Sequence, residues 1–255
     1  MADRPQVLIV EDEPVVLKVA GMALAAHGIG YREATDVPAA AALLDSTSFQ
    51  VVLTDLKLPG QSGFEMLKLA QELSPSPQVV LITGYATIDN ALLSFERGSF
   101  DFIPKPFDVE ELVSVVTRAL RFARRREAAL QVPEDRYFLG RHSWAQLDPD
   151  GTATVGVAET IAGQMGQLDA IDYQESREHA VQGQCICQLA SVDGLNHRVW
   201  APLSGRIIAL NSDLAGDLDL INRDPFASGW LARVIPTSLE KELPNLRQRH
   251  DSASS

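Results

Sequence analysis

Five polar side chains between positions 11 and 105 could act together chemically: Glu11, Asp12, Asp55, Thr83 and Lys105. Three carboxylates held close together repel one another, so that a cation is needed to keep them all ionised. Oxygen ligands without His or Cys suit Mg²⁺. A carboxylate can also accept a phosphoryl group, while a hydroxyl and an ammonium bind the phosphoryl oxygens. These residue types therefore predict a site for metal-assisted phosphoryl transfer to Asp55.

Short apolar runs precede these residues and predict how the chain positions them. VLIV precedes Glu11, VVLT precedes Asp55, VVLI precedes Thr83 and DFIP precedes Lys105. Apolar runs separated by helix-like segments are typical of buried parallel strands in an α/β fold. Ligands of open α/β sheets bind beyond the carboxyl ends of the strands. We therefore expect the polar residues to meet at one edge of a parallel sheet.

The stretches that carry these residues resemble the receiver domain of two-component response regulators. They are VLIVEDEP, VVLTDLKLPGQSGFEML, VVLITGYATIDNAL and GSFDFIPKPFDVEELVSVV. The resemblance implies a flavodoxin-like α/β fold with a five-stranded parallel sheet. It also implies that Asp55 accepts a phosphoryl group from a sensor histidine kinase or a phosphotransfer protein. Asp12 and Asp55 would bind Mg²⁺ directly, Glu11 largely through water, and Lys57 through its backbone carbonyl.

The same resemblance assigns further roles around Asp55. Thr83 and Lys105 would bind the phosphoryl group, and Phe102 would be the aromatic switch residue. Lys57 and Tyr85 would tune how easily water removes the phosphoryl group, and Lys105-Pro106 would be a cis peptide, which X-Pro bonds tolerate. The alternative is a degenerate receiver with a merely structural pocket. Such receivers usually lose an acid, the phosphoacceptor or the lysine, and this chain has all of them.

From about residue 137 the pattern changes to short alternating stretches broken by Gly and Asp-Gly turns. This pattern predicts β-hairpins packed as a small sandwich or barrel. The segments RHSWAQLDPDGTATVGVAETIAGQMGQLDAI, WAPLSGRIIALNSDL and LINRDPFASGWLARV resemble the H protein of the glycine cleavage system, a relative of lipoyl and biotinyl carrier domains. The resemblance implies a mostly β, lipoyl-like sandwich with short flanking helices.

The sequence departs from the H-protein pattern where lipoate would be attached. In that family a lysine at the tip of a hairpin carries lipoate through an amide, whereas this chain has Asp193 or Gly194 there, depending on the register. The only lysine after Lys105 is Lys241, close to the end of the chain. We therefore expect no lipoate, and we interpret the domain as a module that binds an unknown downstream protein.

Cys185 and Cys187 lie two positions apart in one predicted strand, where they would share a face. A metal site would need further ligands, for which His179 and His197 are the nearest histidines. The spacing matches no known zinc pattern. Ordinary packing in the strand is the alternative, and His27 and His142 are interpreted as structural or surface residues.

The predicted domain organisation has four parts. Residues 1–122 form the receiver, and 123–136 form a helical linker that continues its last helix. Residues 137–243 form the H-protein-like domain, and 244–255 form a disordered tail. The apolar spacing predicts one helix over residues 109–131, which Pro133 ends. Such a helix could act as a lever or as the seam of a homodimer formed by receiver and linker.

Composition limits the function classes. The chain carries a net charge of −12, and its excess of acidic residues lies on both sides of a short basic segment. A nucleic-acid-binding domain usually has a concentrated basic face, so we expect no DNA partner. No apolar run reaches the roughly 18 residues of a membrane helix, and no secretory signal is evident. We expect a cytoplasmic signalling protein whose only catalysis is self-phosphorylation and self-dephosphorylation. The alternative is a phosphorylation-controlled carrier or accessory subunit of glycine cleavage or lipoate metabolism.

Overall fold

The protein consists of two compact units, the first ending and the second beginning between residues 124 and 133. The structure is a computed structural model that describes residues 6–85, 87–124, 133–173 and 178–248. None of the helices within these residues is long and apolar enough to cross a membrane.

The first unit is a parallel sheet with helices. Its five main strands run in the order β2-β1-β3-β6-β7, and every pairing between them is parallel. The elements are β1 Val7–Val10, α1 Pro14–Ala26, β2 Tyr31–Ala34, α2 Val37–Ser46, β3 Val51–Asp55, β4 Lys57–Leu58, β5 Gln61–Ser62, α3 Gly63–Gln71, β6 Gln78–Thr83, α4 Ile88–Glu96, β7 Asp101–Pro104 and α5 Val109–Arg124. The predicted five-stranded α/β fold is confirmed.

The central strands of this sheet are buried along their whole length. Every residue of β1 and of β3 is buried, because a parallel sheet has helices over both faces. On one side, α1 and α5 pack on the sheet through a shared apolar cluster, which includes Leu24, Leu53, Ile82, Val116 and Leu120. This packing fixes the strands whose carboxyl ends carry the polar residues.

Local signals at two helix starts place the chain around Asp55. Ser62 begins α3 by accepting a hydrogen bond from the N–H of Phe64 at 3.2 Å. Gly63 lies against the backbone of Asp55, where a Cβ at position 63 would be only 2.3 Å from the Asp55 carbonyl oxygen. Glycine is therefore required for this close approach. Thr87 begins α4 in the same way as Ser62.

The last helix of the first unit, α5, is described from Val109 to Arg124. The predicted continuation of this helix to residue 131 falls on residues 125–132, which lie outside the described residues. Residues 133–136 form a turn, so the linker is not helical up to residue 136. The rigid ring of Pro133 cannot continue a helix, which accounts for the difference.

The second unit consists of two antiparallel sheets. One has the order β12-β15-β16-β10-β9-β8, and the other has the order β11-β13-β14. Its elements are β8 Tyr137–Leu139, β9 Ser143–Leu147, β10 Ala153–Val157, α6 Glu159–Ala162, β11 Leu168–Tyr173, β12 His179–Ala180, β13 Cys185–Ser191, β14 Asn196–Trp200, β15 Gly205–Leu210, α7 Leu220–Arg223, β16 Trp230–Pro236 and α8 Leu239–Glu242. The predicted mostly β sandwich with short helices is confirmed.

Trp144 organises the core of this unit. Its ring covers Gly156 on the neighbouring strand, where a Cβ would lie 2.5 Å from the ring. Its indole N–H donates to the carbonyl of Pro225 at 3.1 Å, and the guanidinium of Arg136 lies over the ring. A buried indole with a satisfied N–H supplies a large apolar surface without a polar penalty.

The expectation of a disordered tail from residue 244 is wrong for residues 244–248. A 3₁₀ turn at Leu243–Asn245 is followed by a two-way backbone pairing of Arg247 with Phe138. The amide of Asn245 donates to the side chain of Gln182, and Leu246 is buried. The apolar Leu246 and these backbone partners outweigh the polar composition of the segment. Residues 249–255 lie outside the described residues.

Candidate functional site

The five polar residues meet at the carboxyl edge of the parallel sheet. Glu11 follows β1, Asp55 ends β3, Thr83 ends β6 and Lys105 follows β7. These four strands are neighbours in the sheet. Carboxylate oxygens of Glu11, Asp12 and Asp55 lie within 4.8 Å of one another. The topology thus brings together side chains that are up to 94 positions apart.

Lys105 is the centre of this cluster. Its ammonium lies 2.5 Å from Oδ2 of Asp55 and 2.9 Å from Oε2 of Glu11. It also lies 2.9 Å from Oε1 of Glu13. The lysine is largely enclosed, with 13% of its side chain exposed. The Lys105-Pro106 peptide is cis, as the sequence predicts.

The electrostatics of the cluster show an excess of negative charge. Burial raises the pKa of Glu11 to about 7, a shift that the hydrogen bond from Lys105 opposes and the nearby charge of Asp55 increases. Burial alone would lower the pKa of Lys105, but its hydrogen bonds to Asp55, Glu11 and Glu13 raise it overall. The ammonium of Lys105 is therefore fully charged, but its single positive charge does not balance the several carboxylates around it.

The cluster fits a divalent cation of the Mg²⁺ type. The donors that converge are carboxylate oxygens, which Mg²⁺ prefers, and they carry more negative charge than Lys105 compensates. Glu11, Asp12 and Asp55 would hold the ion. When bound, Mg²⁺ would neutralise charge on the oxygens of a transferring phosphoryl group. The carbonyl of Lys57 stays a predicted ligand.

Two backbone amides donate hydrogen bonds to side chains of the cluster. The N–H of Lys57 donates to Oδ1 of Asp55 at 2.9 Å, which fixes the plane of the carboxylate. The N–H of Tyr85 donates to Oγ1 of Thr83 at 3.0 Å. Because this hydrogen bond occupies an acceptor position of the Thr83 hydroxyl, the hydroxyl proton remains available for an oxygen in the site.

Lys57 and Tyr85 lie close together beside the cluster. The Lys57 ammonium is 3.3 Å from the centre of the Tyr85 ring, within the range of a cation–π interaction. Tyr85 is 55% exposed. Two residues for which the resemblance implies a role in water access therefore contact each other. Phe102 lies in β7 opposite Leu81 and is buried.

Sequence reasoning missed Glu13. Its side chain is 62% exposed, but its carboxylate contacts the enclosed ammonium of Lys105. Its backbone N–H also points to Oε1 of Glu11 at 3.3 Å. The signal in the sequence is the run Glu11, Asp12, Glu13, whose third acid precedes Pro14 at the start of α1.

In the second unit, Asp193 and Gly194, which the sequence resemblance assigns to the lipoyl position, lie in the turn between β13 and β14. Gly194 has a positive φ of 81°, which favours glycine. The hydroxyl of Ser191 donates to the carboxylate of Asp193 at 2.5 Å and accepts from the N–H of Leu195 at 3.0 Å. Val192 is 63% exposed. The turn thus presents one apolar side chain beside a fixed carboxylate.

The cysteine pair lies in β13, where a bulge between Cys185 and Cys187 breaks the regular alternation. The prediction that both cysteine side chains lie on one face of the strand assumes regular alternation, which the bulge interrupts. The Cys185 thiol donates to the carbonyl of Cys187 at 3.3 Å, and burial raises the pKa of the Cys187 thiol well above its ordinary value. Among the described residues, neither cysteine belongs to a group of three potential metal ligands. The hypothesis of a cysteine metal site therefore receives no support from the described geometry.

Comparisons with known proteins divide the chain in the same way as the fold. The response regulator receiver domain family matches residues 7–117, and the glycine cleavage H-protein family matches residues 136–254. A probable glycine cleavage system H protein of Thermococcus kodakarensis is 34% identical over 116 residues, which cover 46% of this chain and 85% of that protein.

The first unit is similar to the response regulator protein PilR of Pseudomonas aeruginosa, with 35% identity over 137 residues. The match covers 54% of this chain but only 30% of PilR. A receiver domain protein of Methanospirillum hungatei is 27% identical in a crystal structure, with a TM-score of 0.45, and the match covers 48% of this chain and 97% of that one. The chain has an N-terminal response regulator receiver domain, and through its C-terminal domain it belongs to the glycine cleavage H-protein family.

Proposed function

We propose that this protein is a response regulator that accepts a phosphoryl group on Asp55 from a histidine kinase or a phosphotransfer protein. The observation that carries the proposal is the pairing of Asp55 with Lys105, at 2.5 Å, inside a cluster of carboxylates at the carboxyl edge of the sheet. The nucleophile, the cation and the metal-binding acids are within reach of one incoming phosphoryl group. The receiver family match adds to this support.

The chain's own residues divide the chemistry among them. An oxygen of Asp55 attacks phosphorus, so that an O–P bond forms and the bond from phosphorus to the donor breaks with its electrons leaving on the donor. Lys105 neutralises charge on a phosphoryl oxygen, and the Thr83 hydroxyl donates to another. Bound Mg²⁺ would add positive charge on the same oxygens. Water later removes the phosphoryl group, at a rate that Lys57 and Tyr85 tune.

The H-protein-like domain is proposed as the output of the protein, acting by binding an unknown downstream protein. The turn between β13 and β14 presents Val192 and Asp193 instead of an amine. A carboxylate cannot form the amide that attaches lipoate, so the domain would keep the family's fold without its cofactor. Phosphorylation would alter the receiver through Thr83 and Phe102 and thereby change the binding state of this domain.

A second candidate function follows from the membership of this domain in the glycine cleavage H-protein family. The chain would then be a carrier or accessory subunit of glycine cleavage or lipoate metabolism under phosphorylation control. The acidic residue at the turn favours the signalling function. Under either function the protein is proposed to act in the cytoplasm without DNA, with no catalysis beyond reactions at Asp55 itself. A homodimer through the receiver and its last helix is also proposed.

Hydrogen exchange of the full chain tests the signalling proposal. With Mg²⁺ and beryllofluoride, a phosphoryl mimic, we expect altered amide exchange both around Asp55 and within residues 137–248. Asp55→Asn should show neither change, because it lacks the carboxylate that holds the mimic. Changes confined to the receiver would contradict signalling to the H-protein-like domain, while leaving phosphorylation of Asp55 intact.

A further inference from the structure

Glu13 contacts Lys105 although no role is implied for it by either domain resemblance. The ammonium of a lysine has three N–H donors. In this structure the ammonium of Lys105 contacts three carboxylates, those of Asp55, Glu11 and Glu13. All three donors therefore have a partner before any phosphoryl group arrives. A phosphoryl oxygen can gain a hydrogen bond from Lys105 only if one of these contacts is given up.

The three partners differ in what the loss of Lys105 would cost them. Glu11 is buried and lies beside the charge of Asp55, so the loss of the ammonium would leave a carboxylate without compensation. Asp55 is the nucleophile and must stay in the site. Glu13 is 62% exposed, and water can replace the ammonium as its partner. The contact that yields most easily is the one between Lys105 and Glu13.

The position of Glu13 is fixed by the start of α1. Glu13 is the residue before Pro14, which begins the helix, and its backbone N–H points to Oε1 of Glu11 at 3.3 Å. The side chain therefore lies at the solvent-facing side of the cluster, with its carboxylate against Lys105. A phosphoryl donor is a dianion, and in approaching Lys105 it would meet the negative charge of Glu13.

We propose that Glu13 is a positioning residue that holds Lys105 in the unphosphorylated protein and slows the loading of Asp55. This inference rests on the proposed phosphorylation of Asp55 and adds a regulator to that site. The incoming phosphoryl group displaces Glu13 from the ammonium, and the carboxylate then turns to water. Phosphorylation of Asp55 must therefore break the contact between Glu13 and Lys105. In the phosphorylated protein this contact is already absent.

The variant Glu13→Gln tests this role in the full chain, with acetyl phosphate and Mg²⁺ as the probe. The amide keeps an acceptor oxygen but holds an ammonium less strongly and repels no anion. We expect loading of Asp55 at low donor concentration to be about threefold faster, the size typical of one exposed charge pair. The rate of phosphoryl loss should stay the same, because Glu13 has already left Lys105 in that state.

Two controls separate this role from a structural or a general charge effect. Glu72→Gln removes the same charge from an exposed residue at the far end of α3, and it should load like wild type. At about 1 M salt the advantage of Glu13→Gln should vanish, since exposed charges are then screened. Equal loading of Glu13→Gln and wild type, or an equal gain in Glu72→Gln, would overturn the inference. If wild type is not loaded at all, the proposed function itself fails, and the role of Glu13 fails with it.

Discussion

The ammonium of Lys105 lies 2.5 Å from Oδ2 of Asp55. Asp55 is thus paired with a cation in the unmodified protein, and under the proposed function the same cation would neutralise a phosphoryl group on Asp55. A metal ion would compete with Lys105 for these oxygens, because both positive charges are drawn to the same carboxylates. Mg²⁺ binding and phosphorylation should therefore depend on whether Lys105, a metal ion or protons compensate the charge of these carboxylates.

Replacing Lys105 by Gln should strengthen the binding of Mg²⁺ and weaken phosphorylation. The carboxylates of Glu11 and Asp55 lose their resident cation, so they gain more from a metal ion. Loading by acetyl phosphate should fall about tenfold or more, because a charge-assisted hydrogen bond to the phosphoryl group is lost. Calorimetric titration with Mg²⁺ and a loading time course measure the two effects. Weaker Mg²⁺ binding in Lys105→Gln would contradict the competition.

Binding of Mg²⁺ should weaken as the pH falls below 7. Burial raises the pKa of Glu11 to about 7, so this carboxyl takes up a proton as the pH falls through that value. A metal ion binds the deprotonated form, and its affinity should fall by about tenfold for each pH unit below 7 and level off above. Calorimetry near pH 6 and near pH 8 measures the difference. In Glu11→Gln the Mg²⁺ affinity should lose most of its pH dependence. If the dependence stays the same in this variant, a group other than Glu11 takes up the proton.

Thr83→Val should uncouple phosphorylation from its response. Valine has nearly the shape of threonine but lacks the hydroxyl that accepts from Tyr85 and would donate to a phosphoryl oxygen. Asp55 should still bind beryllofluoride in the presence of Mg²⁺, but the change in hydrogen exchange at Phe102 should be lost. Thr83→Ser keeps the hydroxyl and serves as the matched control, so a loss of the response in both variants would assign it to packing instead.

The purified chain should have the mass of its unmodified sequence even when lipoate and a lipoate ligase are present. Neither Asp193 nor Gly194 offers an amine. Asp193→Lys restores an amine at the turn while leaving the positive φ of Gly194 undisturbed. If the turn matches the lipoyl position of the family, this variant should gain one lipoyl group in the same assay. Intact-mass spectrometry distinguishes the two, and a lipoyl group on the wild-type chain would revive the carrier function.

The sequence predicted the sheet of the receiver because its strands are buried on both faces. VLIV and VVLTD become strands whose residues are all buried, as their short length and their β-branched residues favour. The meeting of Glu11, Asp55 and Lys105 followed from one topological rule about strand ends. The sequence could not predict which carboxylates Lys105 contacts, since that depends on side-chain geometry around the start of α1.

The errors occurred where local composition and tertiary contacts disagree. Residues 244–248 are polar overall, yet Leu246 is buried and Arg247 pairs with the backbone of Phe138. These partners lie far away along the chain, and no local pattern indicates them. No sequence pattern singled out the exposed Glu13, because its significance depends on a lysine 92 positions away.

Incubation of the full chain with acetyl phosphate and Mg²⁺, followed by intact-mass spectrometry and peptide mapping, shows whether Asp55 is the phosphoacceptor. We expect the mass of one added phosphoryl group located on Asp55, no addition when Mg²⁺ is chelated before the reaction, and no addition in Asp55→Asn. An unchanged mass with Mg²⁺ present, or an equal addition in Asp55→Asn, would contradict phosphorylation of Asp55.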